Sequence, residues 1–214
     1  MKRSDKTVTK KPANTVTQAK KKKKPLTGAM GNDKQLIIDG EHFDIYLDEQ
    51  RIQKRLQQLA DKISKDYKNS VPIFIGTLNG AFIFMADLIR HLSIDCEVDF
   101  LKLSSYGDAK ISSGKVTMLK ELNCQVEGRD IIVVEDIIDS GLSIDFMKRL
   151  IMEMNPRSLN IVSLLYKKKA IKIHTPVKYI GFRIPNEFVI GYGLDYKQTL
   201  RNLRHVYRMS KHKN

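Results

Sequence analysis

Short apolar runs rich in β-branched residues alternate along this chain with segments of helical periodicity, and few folds accommodate that order. VPIFIGTL at 71–78 stops at Asn79-Gly80 and is followed by AFIFMADLIRHL. DIIVVED at 130–136 precedes SGLSIDFMKRLIMEM, and SLNIVSLLYK comes next. Strands alternating with helices predict an α/β domain with a mostly parallel, twisted, doubly wound sheet flanked by helices.

Other segments complete this prediction. In residues 47–67 apolar side chains recur at helical spacing behind Asp48, which predicts a helix with one face on the sheet. CEVDFLKL at 96–103 and KVTMLKEL at 115–122 alternate as strands do, with a polar loop at 104–114 between them. YIGFRI and FVIGYGL predict two further short strands.

The positive charge is concentrated at the N-terminus. Of the net +14, residues 1–28 hold ten lysine and arginine residues against Asp5, a net +9, which leaves +5 for the rest of the 214 residues. Because this segment has almost no large apolar residues, residues 1–34 are predicted to be a disordered basic tail. The 42% hydrophobic content then suits a single domain at 35–214.

The tail admits two interpretations, a solubilising or targeting segment and a weak contact with nucleic acid through Lys20–Lys24. The sequence has no apolar stretch typical of a signal peptide or a membrane span, so a soluble cytoplasmic protein is expected. Cys96 and Cys124 lack paired spacing, which favours two reduced structural thiols.

Three carboxylates, Glu135, Asp136 and Asp139, follow the apolar run that ends at Val134. We expect the chain to leave the sheet after Val134 and to turn into the next helix through residues 139–143. Ligands of doubly wound sheets bind beyond the carboxyl ends of the strands, where free N–H groups at a helix start suit a phosphate. A helix cap by Asp139 or Ser140 explains the turn equally well.

The adjacent carboxylates of Glu135 and Asp136 are harder to explain by structure alone. Two carboxylates at the end of a hydrophobic strand are costly to desolvate unless a cation or hydroxyl groups meet them. A sugar phosphate accompanied by Mg²⁺ supplies both. Two solvated carboxylates in an ordinary loop are the alternative.

The residues IIVVEDIIDSGLS resemble the phosphoribosyl pyrophosphate (PRPP) signature of the type I phosphoribosyltransferases. IGTLNGAFIFMADL resembles that family's pyrophosphate loop, and LSSYGD resembles its flexible catalytic loop. SLLYKK and GFRIPNEFVIGYGLDYKQTLRNL resemble the purine-binding region of its hypoxanthine-specific members. The four segments stand in the family's order over about residues 40–210. The resemblance also implies a small hood subdomain over the purine site, built from about 35–46 and 170–214.

The resemblance implies a reaction in which hypoxanthine or guanine displaces pyrophosphate from PRPP, giving IMP or GMP. Glu135 and Asp136 would engage the ribose, and Asp139 would exchange a proton with the purine N7. The 5′-phosphate would be held by Asp139, Ser140, Gly141, Leu142 and Ser143. Mg²⁺ would be held by Glu135, Asp136 and Asp195.

The remaining roles implied by the resemblance concern pyrophosphate and the base. Leu78, Asn79, Gly80 and Arg201 would bind pyrophosphate; many relatives carry lysine at the position of Asn79, and the sequence leaves open whether the Leu78-Asn79 peptide is cis. Lys167 would donate to the purine O6, Phe188 would stack on the base, and the Val189 backbone would read its edge. Ser105 and Tyr106 would belong to the loop that closes over the site.

Some alternatives stay open. The same fold serves in PRPP-responsive regulators that bind nucleic acid, although a regulator has no need for Asp139 together with Lys167, Phe188 and Asp195. Lys167 disfavours adenine, because adenine presents a donor where 6-oxopurines present an acceptor. The preference among hypoxanthine, guanine and xanthine is not determined by the sequence. A homodimer or homotetramer is expected from the relatives.

Overall fold

The computed structural model describes residues 35–105, 116–120, 122–172 and 176–210. In chain order the elements are β1 (Gln35–Ile38), β2 (Glu41–Leu47), α1 (Glu49–Asp66), β3 (Ile73–Leu78), α2 (Phe82–Arg90), β4 (Glu97–Ser105), β5 (Val116–Lys120), β6 (Asp130–Ile138), α3 (Leu142–Met152), β7 (Ser158–Tyr166), a 3₁₀ turn (Lys168–Ala170), β8 (Tyr179–Arg183), β9 (Val189–Ile190) and β10 (Val206–Met209).

Two sheets organise these strands. The larger has six strands in the order β5-β4-β3-β6-β7-β8, and the five from β4 to β8 in that order run parallel while β5 is antiparallel at the edge. The smaller is antiparallel, in the order β1-β2-β10-β9. The larger sheet confirms the predicted parallel α/β fold.

Side chains that alternate along β6 fill two cores, one on each face of the parallel sheet. Ile132 and Val134 pack with residues of α1 and α2, whereas Ile131 and Val133 pack with residues of α3. This arrangement follows from the strand period of two, and it explains why a strand covered on both faces reads as a continuous apolar run.

Helix α1 forms as its sequence predicts. The Asp48 side chain caps it by accepting a hydrogen bond from the Arg51 backbone N–H at 2.7 Å. Ile52, Leu56 and Ile63 on its inner face are fully buried. Each such side chain contributes about 1.5–3 kcal/mol through removal from water, which holds the helix on the sheet.

The boundary between β3 and β6 is the topological switch point of the sheet. The chain passes from β3 to β4 on one side and from β6 to β7 and β8 on the other. The pairing of β6 with β3 ends at Val134, but its pairing with β7 continues to Ile138 opposite Tyr166. The expected exit from the sheet after Val134 is therefore wrong, because β7 still supplies backbone partners there. A crevice opens between β3 and β6, where open α/β sheets bind ligands.

Several expectations fall on residues outside the described part of the chain. These are the basic tail at 1–34, most of the polar loop and Tyr106. Cys96 and Cys124 are free thiols, in agreement with the sequence. Within the described ranges no helix is long and apolar enough to cross a membrane.

Candidate active site

The neighbouring carboxylates Glu135 and Asp136 leave β6 in opposite directions, because successive side chains of a strand point to opposite faces. Glu135 is only 6% exposed. It lines a cavity of about 100 Å³ together with residues of the turn from Asp139 to Ser143. The Asp136 carboxylate instead lies against Gly80, on the side of α2. The two side chains therefore serve two adjoining compartments.

Burial shifts the pKa of both carboxyl groups upward. The pKa of Glu135 lies well above its usual range because of burial and the neighbouring Asp136 charge, although a hydrogen bond with Thr77 lowers it. Burial raises the pKa of Asp136 to about 6, against the lowering effects of the Ile137 N–H and the Arg201 charge. These groups favour a ligand that supplies positive charge or hydroxyl donors.

The small cavity beside Glu135 lies at the start of α3. Gly141, with φ of +84°, is the N-cap residue of this 11-residue helix, so neither Asp139 nor Ser140 holds that position. The Ser140 hydroxyl accepts only a long hydrogen bond, 3.4 Å from the Leu142 N–H. The helix start keeps donor capacity for an anion.

The loop after β3 closes the second compartment. The Leu78-Asn79 peptide is cis, which answers the question that the sequence left open. A Cβ on Gly80 would lie 1.7 Å from Oδ2 of Asp136, so only glycine allows this approach. On the other side, a Cβ on Gly193 would lie 2.2 Å from the Gly80 carbonyl oxygen. The loop is thus held between β6 and the turn at 191–194.

Arg201 and Asp195 form an ion pair next to this loop, with 2.7 Å between Nη2 and Oδ1. Arg201 also donates from Nη1 to the Gly193 carbonyl oxygen at 2.8 Å. Both charges act on Asp136, since Arg201 lowers its pKa and Asp195 raises it. Among the described residues no three acidic, histidine or cysteine side chains cluster as a preformed metal site.

Lys167 and Asp139 meet where β6 and β7 end. Lys167 Nζ donates to Asp139 Oδ2 at 2.8 Å, and the lysine is only 8% exposed whereas the aspartate is exposed. The Lys167 N–H also donates to the Ile138 carbonyl at 3.0 Å, which fixes the two strand ends together. This pair presents a donor and a carboxylate oxygen side by side.

Phe188 lies in an aromatic cluster that the sequence analysis did not find. Its ring is half exposed and contacts Phe43 edge-on at 6.5 Å between centroids and Tyr196 at 6.3 Å. The Tyr196 hydroxyl donates to Asp39, in the turn between β1 and β2. Val189 is buried in β9, opposite Arg208. The small sheet thus carries the aromatic side of the site, and the alternation in EHFDIYL at 41–47 was an available signal for its strand β2.

The predicted closing loop lies largely outside the described residues. Ser105 ends β4, but its side chain is outside the described part of the structure, as is all of Tyr106. The acidic residues, the loop after β3, Arg201 and Lys167 lie around the β3–β6 boundary and the neighbouring ends of β6 and β7, whereas Phe188 and Val189 lie on the small sheet.

Comparison with known proteins agrees with this geometry. Residues 42–197 match the family model described as phosphoribosyl transferase domain. The chain is 42% identical to the hypoxanthine-guanine phosphoribosyltransferase of Bacillus subtilis, over 76% of this chain and 90% of the relative.

Solved structures give the same result. A hypoxanthine-guanine phosphoribosyltransferase from Bacillus anthracis superposes with a TM-score of 0.74 at 39% identity, covering 77% of this chain and 97% of that one. The hypoxanthine phosphoribosyl transferase of Trypanosoma cruzi gives a TM-score of 0.74 at 36% identity, covering 78% and 91%. With a matching family model over most of its length and full-length relatives of this similarity, the chain belongs to the phosphoribosyltransferase family.

Proposed function

We propose that the protein is a purine salvage enzyme that transfers the phosphoribosyl group of PRPP to hypoxanthine or guanine, giving IMP or GMP and pyrophosphate. The pairing of Lys167 with Asp139, directly beside the turn at the start of α3, carries this proposal. A 6-oxopurine presents the O6 and N7 atoms on one edge. A lysine donor and a carboxylate oxygen 2.8 Å apart complement that edge when N7 carries a proton.

The residues then divide the chemistry among them. As the purine N9 bonds to the anomeric carbon, the bond from that carbon to the pyrophosphate oxygen breaks and its electron pair leaves with pyrophosphate. The N7 proton passes to Asp139, while Lys167 stabilises the charge that develops on O6. Phe188, half exposed and held by two other rings, stacks on the base, and the Val189 backbone reads its edge.

PRPP lies across the β3–β6 crevice. Its 5′-phosphate occupies the cavity of about 100 Å³ lined by Asp139, Ser140, Gly141 and Ser143, and Leu142 begins the helix at that point. Its ribose hydroxyl groups face Glu135 and Asp136, whose raised pKa values favour a ligand that brings hydroxyl donors and a developing positive charge. Its pyrophosphate meets Leu78, Asn79, Gly80 and Arg201.

Magnesium fits this donor set. Asp136 and Asp195 act on each other through their charges, and burial already disfavours the ionised form of Asp136. Mg²⁺ binds few carboxylates and takes its other ligands from water and substrate phosphates, so no preformed cluster is required. Asp136 and Asp195 would hold it on the pyrophosphate side, where the ion would neutralise charge on the departing pyrophosphate, whereas Glu135 faces the other compartment.

Further parts of the proposal rest on the family. The small antiparallel sheet acts as the hood over the purine, and the loop containing Ser105 and Tyr106 closes the site against water. A homodimer or homotetramer is the proposed assembly; the work on the Trypanosoma cruzi relative concerns its oligomeric state. The alternative of a regulator that binds nucleic acid gains no support from these relatives.

The test is an assay of nucleoside monophosphate formation from PRPP and Mg²⁺ with hypoxanthine, guanine, xanthine or adenine. We expect turnover with hypoxanthine and guanine and none with adenine. Asp139→Asn should lower turnover at least 100-fold while PRPP binding changes less than about threefold. Asp145→Asn, in the first turn of α3 and paired with Arg149, is the matched control and should behave as wild type. Wild-type turnover in Asp139→Asn would disprove the proton-transfer role.

A further inference from the structure

The turn at Gly191–Leu194 contains a tyrosine, Tyr192, at a position that rarely holds one. Gly191 and Leu194 exchange backbone hydrogen bonds of 3.0 and 3.2 Å, which makes Tyr192 and Gly193 the two central residues of a tight hairpin. Their φ angles are +51° and +97°. Turns with two positive φ angles favour glycine, asparagine and aspartate, and a tyrosine there is disfavoured by its Cβ. Something outside the turn must stabilise Tyr192 in this conformation.

That support comes from α1 and α2. Tyr192 is only 3% exposed, and its hydroxyl donates to Asp87 Oδ2 at 2.6 Å. The same oxygen accepts from Gln53 Nε2 at 2.9 Å, and Gln53 Oε1 lies 3.1 Å from His91 Nε2. Asp87 stands on α2, the helix that begins directly after Gly80 and Ala81. The turn is thereby fixed to two helices of the rigid core.

The other side of the turn faces the pyrophosphate loop. Gly193 is in such close contact with the Gly80 carbonyl oxygen that no side chain fits between them. The Gly193 N–H donates to the Arg201 carbonyl at 2.8 Å, and Arg201 Nη1 donates back to the Gly193 carbonyl at 2.8 Å. A displacement of Tyr192 would therefore move Gly80 and Arg201 together.

We propose that Asp87 and Tyr192 are positioning residues for pyrophosphate: their hydrogen bond holds the turn that sets the relative position of Gly80 and Arg201. This inference rests on the proposed function, in which those two residues contact the leaving group. Asp87 and Tyr192 act through the turn and are not among the residues assigned to substrate contact. A cavity of about 510 Å³, lined by both, lies on their side of the turn and leaves room for Tyr192 to shift once the bond is lost.

The test is Tyr192→Phe, which removes the hydroxyl and little else. We expect the KM for PRPP and the Kd for pyrophosphate, measured by calorimetry with Mg²⁺, to rise five- to tenfold, and the KM for hypoxanthine to stay within twofold. Asp87→Leu should give the same pattern. Asp87→Asn should stay within twofold of wild type, because its amide oxygen still accepts from Tyr192. The double variant Tyr192→Phe/Asp87→Leu should be no worse than Asp87→Leu alone, since both substitutions remove the same Tyr192–Asp87 bond and only Asp87→Leu also removes the one from Gln53.

Tyr179→Phe is the matched control. Tyr179 is also fully buried, and its hydroxyl donates to Asp66 at 2.8 Å, between β8 and α1. We expect both phenylalanine variants to lower Tm by similar amounts, with only Tyr192→Phe weakening PRPP and pyrophosphate. Equal kinetics in the two variants would overturn the positioning role while leaving the proposed function intact. Absence of PRPP binding by the wild-type protein would overturn both.

Discussion

The carboxyl groups near the two ends of β6 have pKa values shifted in opposite directions: that of Asp130 is lowered, and those of Glu135 and Asp136 are raised. At its start, Asp130 accepts hydrogen bonds from Arg157 and from the Ser158 hydroxyl, and the Arg157 guanidinium foremost lowers its pKa to about 2. At its far end, burial raises the pKa of Glu135 and that of Asp136. The same strand therefore holds one carboxylate as a stable anion and disfavours the charge on two others.

Within this nine-residue strand, one carboxylate therefore serves stability, and the other two are proposed to serve ligand binding. The protein's own groups compensate Asp130, so it contributes to stability. At the far end, the Arg201 charge lowers the pKa of Asp136, but burial still raises that pKa to about 6. The protein's own groups therefore compensate the Asp136 charge incompletely. Native chains tolerate such a conflict where a ligand completes the site.

Gly80→Ala should give the largest effect, because it pushes a methyl group into the carboxylate that the far end of β6 presents. The new Cβ would lie 1.7 Å from Asp136 Oδ2, so the loop or the carboxylate must move. We expect kcat/KM for PRPP to fall at least 100-fold, about 2.7 kcal/mol, in a steady-state assay.

Gly128→Ala provides the control for this substitution. Gly128 has φ of +70° with nothing within 4 Å of the new Cβ, and it lies just before the start of β6. Alanine there should lower the free energy of unfolding by about 1 kcal/mol and leave kcat/KM within twofold. A fall in activity equal to that of Gly80→Ala would mean that the loss does not depend on the contact with Asp136.

Glu135→Gln should separate stability from activity. Removing a buried acidic group that is disfavoured by burial and by Asp136 should raise the free energy of unfolding by about 1 kcal/mol at pH 8 without ligands. Turnover should fall about 10- to 50-fold, since the sugar then loses a carboxylate. Denaturant titration and the transferase assay measure the two quantities. A variant that is both less stable and less active would contradict the contrast between the ends of β6.

Asp130→Asn should lower the free energy of unfolding, the opposite of the change expected for Glu135→Gln. The folded-state pKa of about 2 lies below the usual ~3.9 of an unfolded aspartate, so the wild-type group stabilises the fold fully above about pH 4. That contribution is lost as the pH falls through 2. The variant should therefore be about 1–2 kcal/mol less stable at pH 7, with the difference narrowing between pH 4 and pH 2 in chemical denaturation. Its turnover should match wild type.

Local patterns in the sequence were sufficient for the parallel sheet and for singling out Glu135, Asp136 and the turn at 139–143, whereas the other candidate residues came from the family resemblance. Apolar runs followed by glycine-rich or acidic turns mark strand ends, and such ends converge in a parallel sheet, as Asp139 and Lys167 do. The end of β6 was missed, because it depends on pairing with β7. Local patterns did not predict the strands of the small sheet either, since β2 pairs with β10 about 160 residues away; only the resemblance implied a subdomain built from these two segments.

The contacts that support Phe188 could not be predicted either, because the residues involved are far apart along the chain. The ring contacts Phe43, which is 145 positions earlier, and no local pattern predicts that pairing. The turn tyrosine at 192 was hidden differently: its sequence neighbours suggested a strand, whereas its conformation depends on Asp87. Residues that position a site through long-range contacts are therefore the ones that sequence patterns reveal least.

Among the variants expected to lose activity, Tyr196→Leu should give the smallest effect. It tests the aromatic cluster around Phe188 in the same way that Asp130→Asn tests the start of β6. Phe188, like Asp130, is held by protein neighbours, here Tyr196 and Phe43 at 6.3 and 6.5 Å. An aromatic pair of this kind is worth about 0.5–1.5 kcal/mol, so we expect the KM for hypoxanthine to rise about two- to fivefold. Tyr196→Phe keeps the ring, loses the hydrogen bond to Asp39 and should remain near wild type. The KM for PRPP should not change in either variant. A rise confined to PRPP would place Tyr196 with the pyrophosphate loop instead of with the base, and the aromatic cluster would then not be what holds Phe188 for stacking.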